Sequence, residues 1–310
     1  MSDPTSVTSP YGRAVVIMNS RAGRSPSEKD RIKDLIASTG LDHNLRMTEH
    51  RGHAVELARQ AVSEGCRYLV AVGGDGTIHE VVNGMMGDEG PVDPATVLAV
   101  VPGGSGSDFI RTFGLPADPA DAVKHLLGDP YFQVDVGKVT FTTEEGMRSV
   151  YFPNIAEAGL GGEVVRRAEA LPRRIGKLRY LLSFWMTLAR FKSATGVIHL
   201  DHRTYEGRVT NLVVANGQFF GGGMRIAPKA HPADGKFDVL VQKGNKRDYV
   251  AGITKVFKGE HLPSPAIKEY HARHVEITTD RPLQVEADGE VLGTTPATFE
   301  IIEDAFRLKL

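Results

Sequence analysis

The chain has 310 residues, 41% of them hydrophobic and 24% charged, which is enough apolar material for one large or two ordinary domains. Its net charge of −1 offers no global field for nucleic acid, and its single cysteine, Cys66, excludes an internal disulfide and fits a reducing compartment. No run reaches the roughly 18 apolar residues of a spanning helix, and the polar opening MSDPTSVTSPYGR lacks the apolar core of a signal peptide. The expectation is a cytoplasmic protein with no transmembrane segment and no nucleic-acid partner.

Residues 1–12 read as a disordered leader. Ala14-Val15-Val16-Ile17-Met18 predicts a first strand, followed by the small-polar loop Asn19-Ser20-Arg21-Ala22-Gly23-Arg24, in which Arg21 suits a phosphate or solvent equally. Ser25-Pro26-Ser27-Glu28 has the form of a helix start, and the helix should run through Leu35 and Ile36. A second strand from Asn44 to Met47 ends at Thr48-Glu49-His50, and a helix over 52–65 follows. Tyr68-Leu69-Val70-Ala71-Val72 has the length and β-rich composition of a strand buried on both faces of a parallel sheet. It breaks at Gly73-Gly74-Asp75-Gly76-Thr77 and resumes at helical spacing with Ile78, Val81, Val82 and Met85.

Strand, glycine turn and helix together aim backbone N–H groups and a positive helix end at a phosphate. Asp75 would repel that phosphate unless a cation lay between them, which makes it a magnesium-side residue; the alternative is an ordinary turn with Asp75 as the helix N-cap. A fourth strand, Val97 to Val101, stops at a second glycine-rich segment, Pro102 to Phe109. A nucleotide crevice needs such a pair of strand ends, although a flexible connection has the same composition. Neither segment contains GxxxxGK[ST], so a Walker-type phosphate loop is excluded.

From about Phe132 short alternating segments replace the strand–helix rhythm. This predicts a nucleotide-binding α/β domain over 13–132, a β-rich substrate domain over 133–298, and a C-terminal segment, 299–310, that docks back toward the first domain. Gly159-Leu160-Gly161-Gly162 opens a helix carrying Val164, Val165 and Arg166. Arg173 to Lys192 is a basic amphipathic helix with Leu178, Leu181, Leu182, Trp185 and Met186. It suits a lipid surface, or packing on the β domain with its polar edge in water. Strands are expected at Val197–Leu200, Val209–Val214 and Asp238–Val241. Asp135 reads as a strand-edge residue or a metal-side one, and Asp234-Gly235 and Asp288-Gly289 as hairpin turns.

Five blocks, in order, carry a resemblance. GGDGTIHEVVNG resembles the signature of the diacylglycerol kinase catalytic domain, a family that includes bacterial lipid kinases and sphingosine and ceramide kinases. The shorter GGDGT is shared with NAD kinases and, more loosely, phosphofructokinases. Many bacterial members carry Asn where this chain has His79, and sphingosine-kinase-like members carry His. Asn19, Ala22 and Gly23 match the family's first turn, with Ser20 where Pro is usual, and Thr48 matches its second strand end. The segment after Pro102 is similar to P-x-G-(S/T)-x-N-D-F, with Ser107 in place of Asn. Residues 216–235 resemble the family's GGG-x-x-x-AP stretch, and Ala287-Asp288-Gly289-Glu290 its terminal acidic turn.

The resemblance implies an N-terminal three-layer α/β domain like that of NAD kinase or phosphofructokinase and a C-terminal β-sandwich with an added helix. ATP would lie in the cleft between them on Asn19, Ser20, Arg21, Ala22, Gly23, Thr48, Gly73, Gly74, Asp75, Gly76, Thr77, Ile78, His79 and Ser105. Mg2+ would sit on Asp75, Asp108 and Asp135, and a second, structural one on Asp234 with carbonyls of His231 and Lys236. Glu290 would be the general base, with Asp288 orienting it or supporting the metal network and Asp75 as the rival base. The implied function is ATP- and Mg-dependent phosphorylation of a lipid hydroxyl at the membrane surface, diacylglycerol to phosphatidic acid. A sphingosine- or ceramide-type kinase, an NAD kinase and a non-catalytic lipid-binding protein are the alternatives. Oligomeric state is left open, a homodimer included.

Overall fold

Apolar strands alternating with amphipathic helices build the first of two units, which comprises residues up to Asp135 together with Ile302–Leu310. The computed structural model describes residues 9–23, 25–103, 108–172, 175–176 and 178–310. The elements of this unit are β1 (Ala14–Met18), α1 (Pro26–Ser38), β2 (His43–Met47), α2 (His53–Ser63), β3 (Tyr68–Gly73), α3 (Asp75–Met85), β4 (Val97–Pro102), α4 (Asp108–Thr112) and α5 (Pro119–Ala122). The strands run parallel in the order β2-β1-β3-β4, and Arg307 and Leu308 extend the sheet in parallel beyond Val97 and Leu98. Strands β1, β3 and β4 are buried throughout, as their uninterrupted apolar runs require. Ala14, Val16 and Met18 pack with Ile32 and Ile36 of α1 on one face, while α2 and α3 contact β1 and β3.

Local chemistry sets the ends of these elements. Ser25 caps α1 by accepting the Glu28 N–H at 3.2 Å, with Pro26 at the first helical position. Gly84 lets α2 and α3 approach: a Cβ there would come within 2.5 Å of the Val55 carbonyl oxygen and 2.6 Å of Ala58 Cβ. The expected leader is corrected at its end, because Tyr11 packs edge-on against Tyr68 at 5.5 Å and its hydroxyl donates to the Asp129 carbonyl. Residues 1–8 lie outside the described residues.

The second unit spans Val136–Ile301. Strand β5 (Tyr131–Thr143) leads into it, followed by β6 (Gly146–Phe152), β7 (Ile155–Gly159), α6 (Leu160–Glu169), α7 (Leu178–Arg190), β8 (Ala194–Leu200), β9 (Arg203–Val209), β10 (Asn211–Ala215), β11 (Phe219–Phe220) and β12 (Met224–Arg225). Then come β13 (Phe237–Gln242), α8 (Lys246–Val256), β14 (Ile267–Ala272), β15 (His274–Thr279), β16 (Gln284–Ala287) and β17 (Glu290–Lys309), whose last residues belong to the first unit. Antiparallel pairing runs β14-β13-β10-β7-β16-β17, and β15 joins β17 to β8 and β9. Side chains alternate between two cores, as a period of two demands. Ala156, Ala158, Leu212, Val214, Val239 and Val241 face the sandwich interior, and Ile155, Val213, Ala215 and Leu240 pack with Val256 of α8.

The three-layer α/β unit and the β-sandwich agree with the expected fold class. Three local expectations are corrected. The strand expected over 209–214 is two strands, separated at Thr210. Asp234-Gly235 is not a hairpin turn, because β13 pairs with β10 and β14 rather than with the chain that precedes it. Helix α8 went unpredicted, although Asn245 and Asp248 form a reciprocal capping box at its start. The basic helix is described as α7; Arg173, Arg174 and Lys177 fall outside the described residues.

Candidate active site

The parallel strands of the first unit all end at one edge, so the loops after β1, β2, β3 and β4 meet there. Asn19 donates its backbone N–H to Val72 at 2.9 Å and its Nδ2–H to Thr77 Oγ1 at 3.0 Å, and its Oδ1 accepts the Arg21 N–H at 2.9 Å. Thr48 is buried; its N–H donates to the Met18 carbonyl at 2.9 Å and its Oγ1 accepts the Ser20 N–H at 3.1 Å. The Gly23 N–H donates to the Gly103 carbonyl at 2.7 Å, and the Gly103 N–H to Gly73 at 2.9 Å. A Cβ on Gly103 would stand 2.9 Å from Ala22 Cβ and 3.2 Å from the Gly73 backbone, so the three loops close on one another only because this residue is glycine.

Within this knot the expected phosphate-side residues take different roles. Gly74 is the N-cap of α3 and offers no side chain to the helix amides, and Gly76 is exposed with open space where a Cβ would stand. The positive helix end therefore faces outward through glycine. Ser20 and Arg21 are exposed, and Ala22 and Thr77 are buried. Ile78 is buried and its N–H is used by Gly74 at 3.2 Å, so it packs rather than lines a surface. His79 is also buried, with Asn83 Nδ2 3.4 Å from its Nε2. Ser105 lies outside the described residues, with its neighbours 104–107.

Asp75 is the first residue of α3 and not its cap. Its carboxylate caps a different helix: Oδ2 accepts the Asp108 N–H and Oδ1 the Phe109 N–H, each at 3.0 Å, at the start of α4. Asp108 is buried with Arg111 Nε 3.7 Å from its Oδ1. Asp135 is buried, and its Oδ1 accepts the Asp304 N–H at 2.9 Å. This donor set consists of hard carboxylate oxygens, the type magnesium takes.

In the second unit, Asp288 and Gly289 form the two-residue turn between β16 and β17, with φ of 49° and 84° as a type I′ turn requires. Asp288 is clasped to β7: its N–H donates to the Ile155 carbonyl and its Oδ1 accepts the Ile155 N–H, both at 2.9 Å. Half-buried Glu290 follows directly. His231, Asp234 and Lys236 share the loop before β13. There Asp234 Oδ1 accepts the Lys236 N–H at 3.1 Å and the His231 carbonyl accepts the Ala233 N–H at 2.8 Å.

Sequence reasoning missed two acids next to this turn. Glu157 of β7 stands opposite Glu286 of β16, and both are buried. Burial pushes Glu157 up to about 7, and burial with the neighbouring Glu157 pushes Glu286 well above the carboxylate range. The available signal was a glutamate among the apolar residues of the strand Ile155–Gly159, and another between Val285 and Ala287.

Comparison with known proteins adds to this geometry. Residues 13–139 match the diacylglycerol kinase catalytic domain, and residues 154–309 match the YegS C-terminal NAD kinase beta sandwich-like domain. The chain is 29% identical over 303 residues to a protein of Alcanivorax borkumensis named "Probable lipid kinase YegS-like", with 96% of each chain covered. It is 28% identical over 295 residues to a diacylglycerol kinase of Bacillus subtilis, covering 93% of this chain and 92% of that one. A solved structure of a diacylglycerol kinase from Bacillus anthracis str. Sterne shares the fold, with a TM-score of 0.70 at 23% identity and 96% of both chains covered.

Proposed function

Because the chain belongs to the diacylglycerol kinase catalytic-domain family, we propose that it transfers the γ-phosphoryl group of ATP to a membrane lipid, with diacylglycerol as acceptor and phosphatidic acid as product. The observation that carries the reading is the closure of the Asn19–Gly23, Gly73–Thr77 and Gly103 loops at one edge of the parallel sheet, with an exposed glycine-lined helix end among them. Backbone amides there hold phosphate oxygens, and Asn19 and Thr48 fix the loops that receive the nucleotide. Asp75, Asp108 and Asp135 are the residues that would hold magnesium; when bound, the ion neutralises charge on the β- and γ-phosphates. Glu290 takes the proton of the acceptor hydroxyl as its oxygen bonds to the γ-phosphorus and ADP leaves. Asp288 holds the turn that carries Glu290. A second cation on Asp234 with the His231 and Lys236 carbonyls would be structural, since it would tie one loop to itself.

The acceptor is reached at a bilayer surface by α7. Leu178, Leu181, Leu182, Trp185 and Met186 recur at i, i+3, i+4, i+7 and i+8 and are between 37% and 66% exposed. Buried Ser183 and Thr187 form the opposite side, where Arg167 Nε donates to Thr187 Oγ1 at 3.1 Å. The helix therefore turns its apolar stripe outward, the reverse of a helix packed with its polar edge in water. Arg179 within the helix, and Arg190 and Lys192 at its end, suit anionic headgroups beside that stripe. Among the described residues no helix is long and apolar enough to cross a membrane, so contact would be interfacial.

The test is phosphate transfer from γ-labelled Mg-ATP into vesicles carrying diacylglycerol, sphingosine or ceramide, read by mass spectrometry. Phosphatidic acid is the expected product. Absence of any phosphorylated lipid, or transfer that survives both Glu290→Ala and Asp75→Ala, would overturn the reading.

A further inference from the structure

Burying two carboxyl groups side by side costs stability that an apolar pair would not, and the chemistry outlined above uses neither Glu157 nor Glu286. The hydrogen bonds around them have a direction. Glu286 stands opposite Glu157 across the β16–β7 pairing, and burial beside that acid pushes its carboxyl well above the usual range, which favours a proton held between the two carboxyls. Asn211 Nδ2–H also donates to Glu157, to Oε1 at 2.7 Å, and Asn211 is itself oriented by the Gly161 N–H on its Oδ1 at 3.1 Å. On the other side, Glu286 Oε2 accepts the Gly289 N–H at 2.8 Å. The chain of donors and acceptors thus begins in the core of the second unit and ends on the residue directly before Glu290. Asp288 grips β7 by two further bonds to Ile155, two residues from Glu157 on the same strand.

We propose that Glu157 and Glu286 are positioning residues for Glu290: the hydrogen-bonded pair holds the Gly289 amide, and with it the turn that presents the Glu290 carboxylate to the acceptor hydroxyl. This rests on the reading of Glu290 as the general base. A glutamine at 286 reproduces the arrangement, because its amide oxygen accepts from Gly289 and its NH2 donates to Glu157. A methionine fills the same volume and makes neither bond. Leucine at 157 offers no acceptor to Asn211 or to Glu286, so it breaks the chain at that link.

The experiment measures kcat, KM for ATP and thermal unfolding for Glu286→Gln, Glu286→Met, Glu157→Leu and Glu290→Ala, with diacylglycerol vesicles as acceptor. Glu286→Gln should hold kcat within about twofold of wild type, whereas Glu286→Met should lower it by about tenfold to a hundredfold at unchanged KM for ATP. A merely structural pair would reduce the folded fraction and leave kcat per folded molecule alone. If Glu286→Met fails to fold, Glu157→Leu takes its place with the same expected fall. Wild-type kcat in the folded Glu286→Met variant, or in Glu157→Leu in its place, overturns the proposal, as does a Glu286→Gln enzyme as impaired as Glu286→Met. Full activity of Glu290→Ala overturns the reading of the base instead, whatever the pair variants do.

Discussion

Losing a proton from Glu157 inside the sandwich core is harder than losing it in water, and burial accordingly lifts this carboxyl from its ordinary 4.5 to about 7. A group with a raised folded-state pKa contributes stability that is fully present below its unfolded value and is lost as pH rises through its folded value. The stability of the second unit should therefore fall between pH 5 and pH 8, by an amount on the order of 3 kcal/mol at most. Thermal unfolding across that range checks this, and Glu157→Gln should make the slope shallower, with the remainder belonging to Glu286, which burial also raises. Asp75 makes a different prediction. Its two oxygens serve the Asp108 and Phe109 amides, so Asp75→Asn sets an NH2 against one N–H. We expect a loss of about 1–2 kcal/mol, localised by hydrogen exchange to the start of α4, in addition to any loss of activity. The GGDGT block showed that an acid stands among glycines; it did not show that the acid caps another helix, because that partner lies 33 residues away.

At the scale of elements, α7 departs most from expectation. Its periodicity identified an amphipathic helix and left open which side was covered. The described helix buries Ser183 and Thr187 and exposes Leu181, Leu182 and Trp185, so its outward face adds little to folding stability. The double substitution Leu181→Ser with Leu182→Ser should then leave the melting temperature within a few degrees of wild type. Binding to anionic vesicles, read by co-sedimentation, should fall by about tenfold or more, since removing two half-exposed leucines from a lipid contact forfeits a few kcal/mol. Unchanged vesicle binding would count against the lipid-facing reading of this face. Helix α1 was legible from its start, where Ser25 caps it, and the Asn245–Asp248 capping box is the corresponding local signal for α8.

At the scale of the molecule, two units with separate cores share one strand: the end of β17 extends the parallel sheet of the first unit, and the rest pairs in the second. Phe306 and Leu308 are fully buried there. Removing residues 302–310 strips those side chains from the first unit and bares the edge of β4, at a cost of about 5 kcal/mol from apolar burial alone. Hydrogen exchange should then report lost protection in β4 and β3, and ATP binding should weaken in parallel. The succession of strands and helices in the first unit, its glycine turns and the β-rich second unit were determined by the sequence itself, because period-two and period-3.6 patterns and glycine placement act over a few residues. Tertiary structure alone decided that Asp75 caps α4, that Glu157 meets Glu286, and that α7 turns its leucines outward. Each of these depends on which distant surface arrives at a given face, and a local pattern defines a face without naming what will cover it.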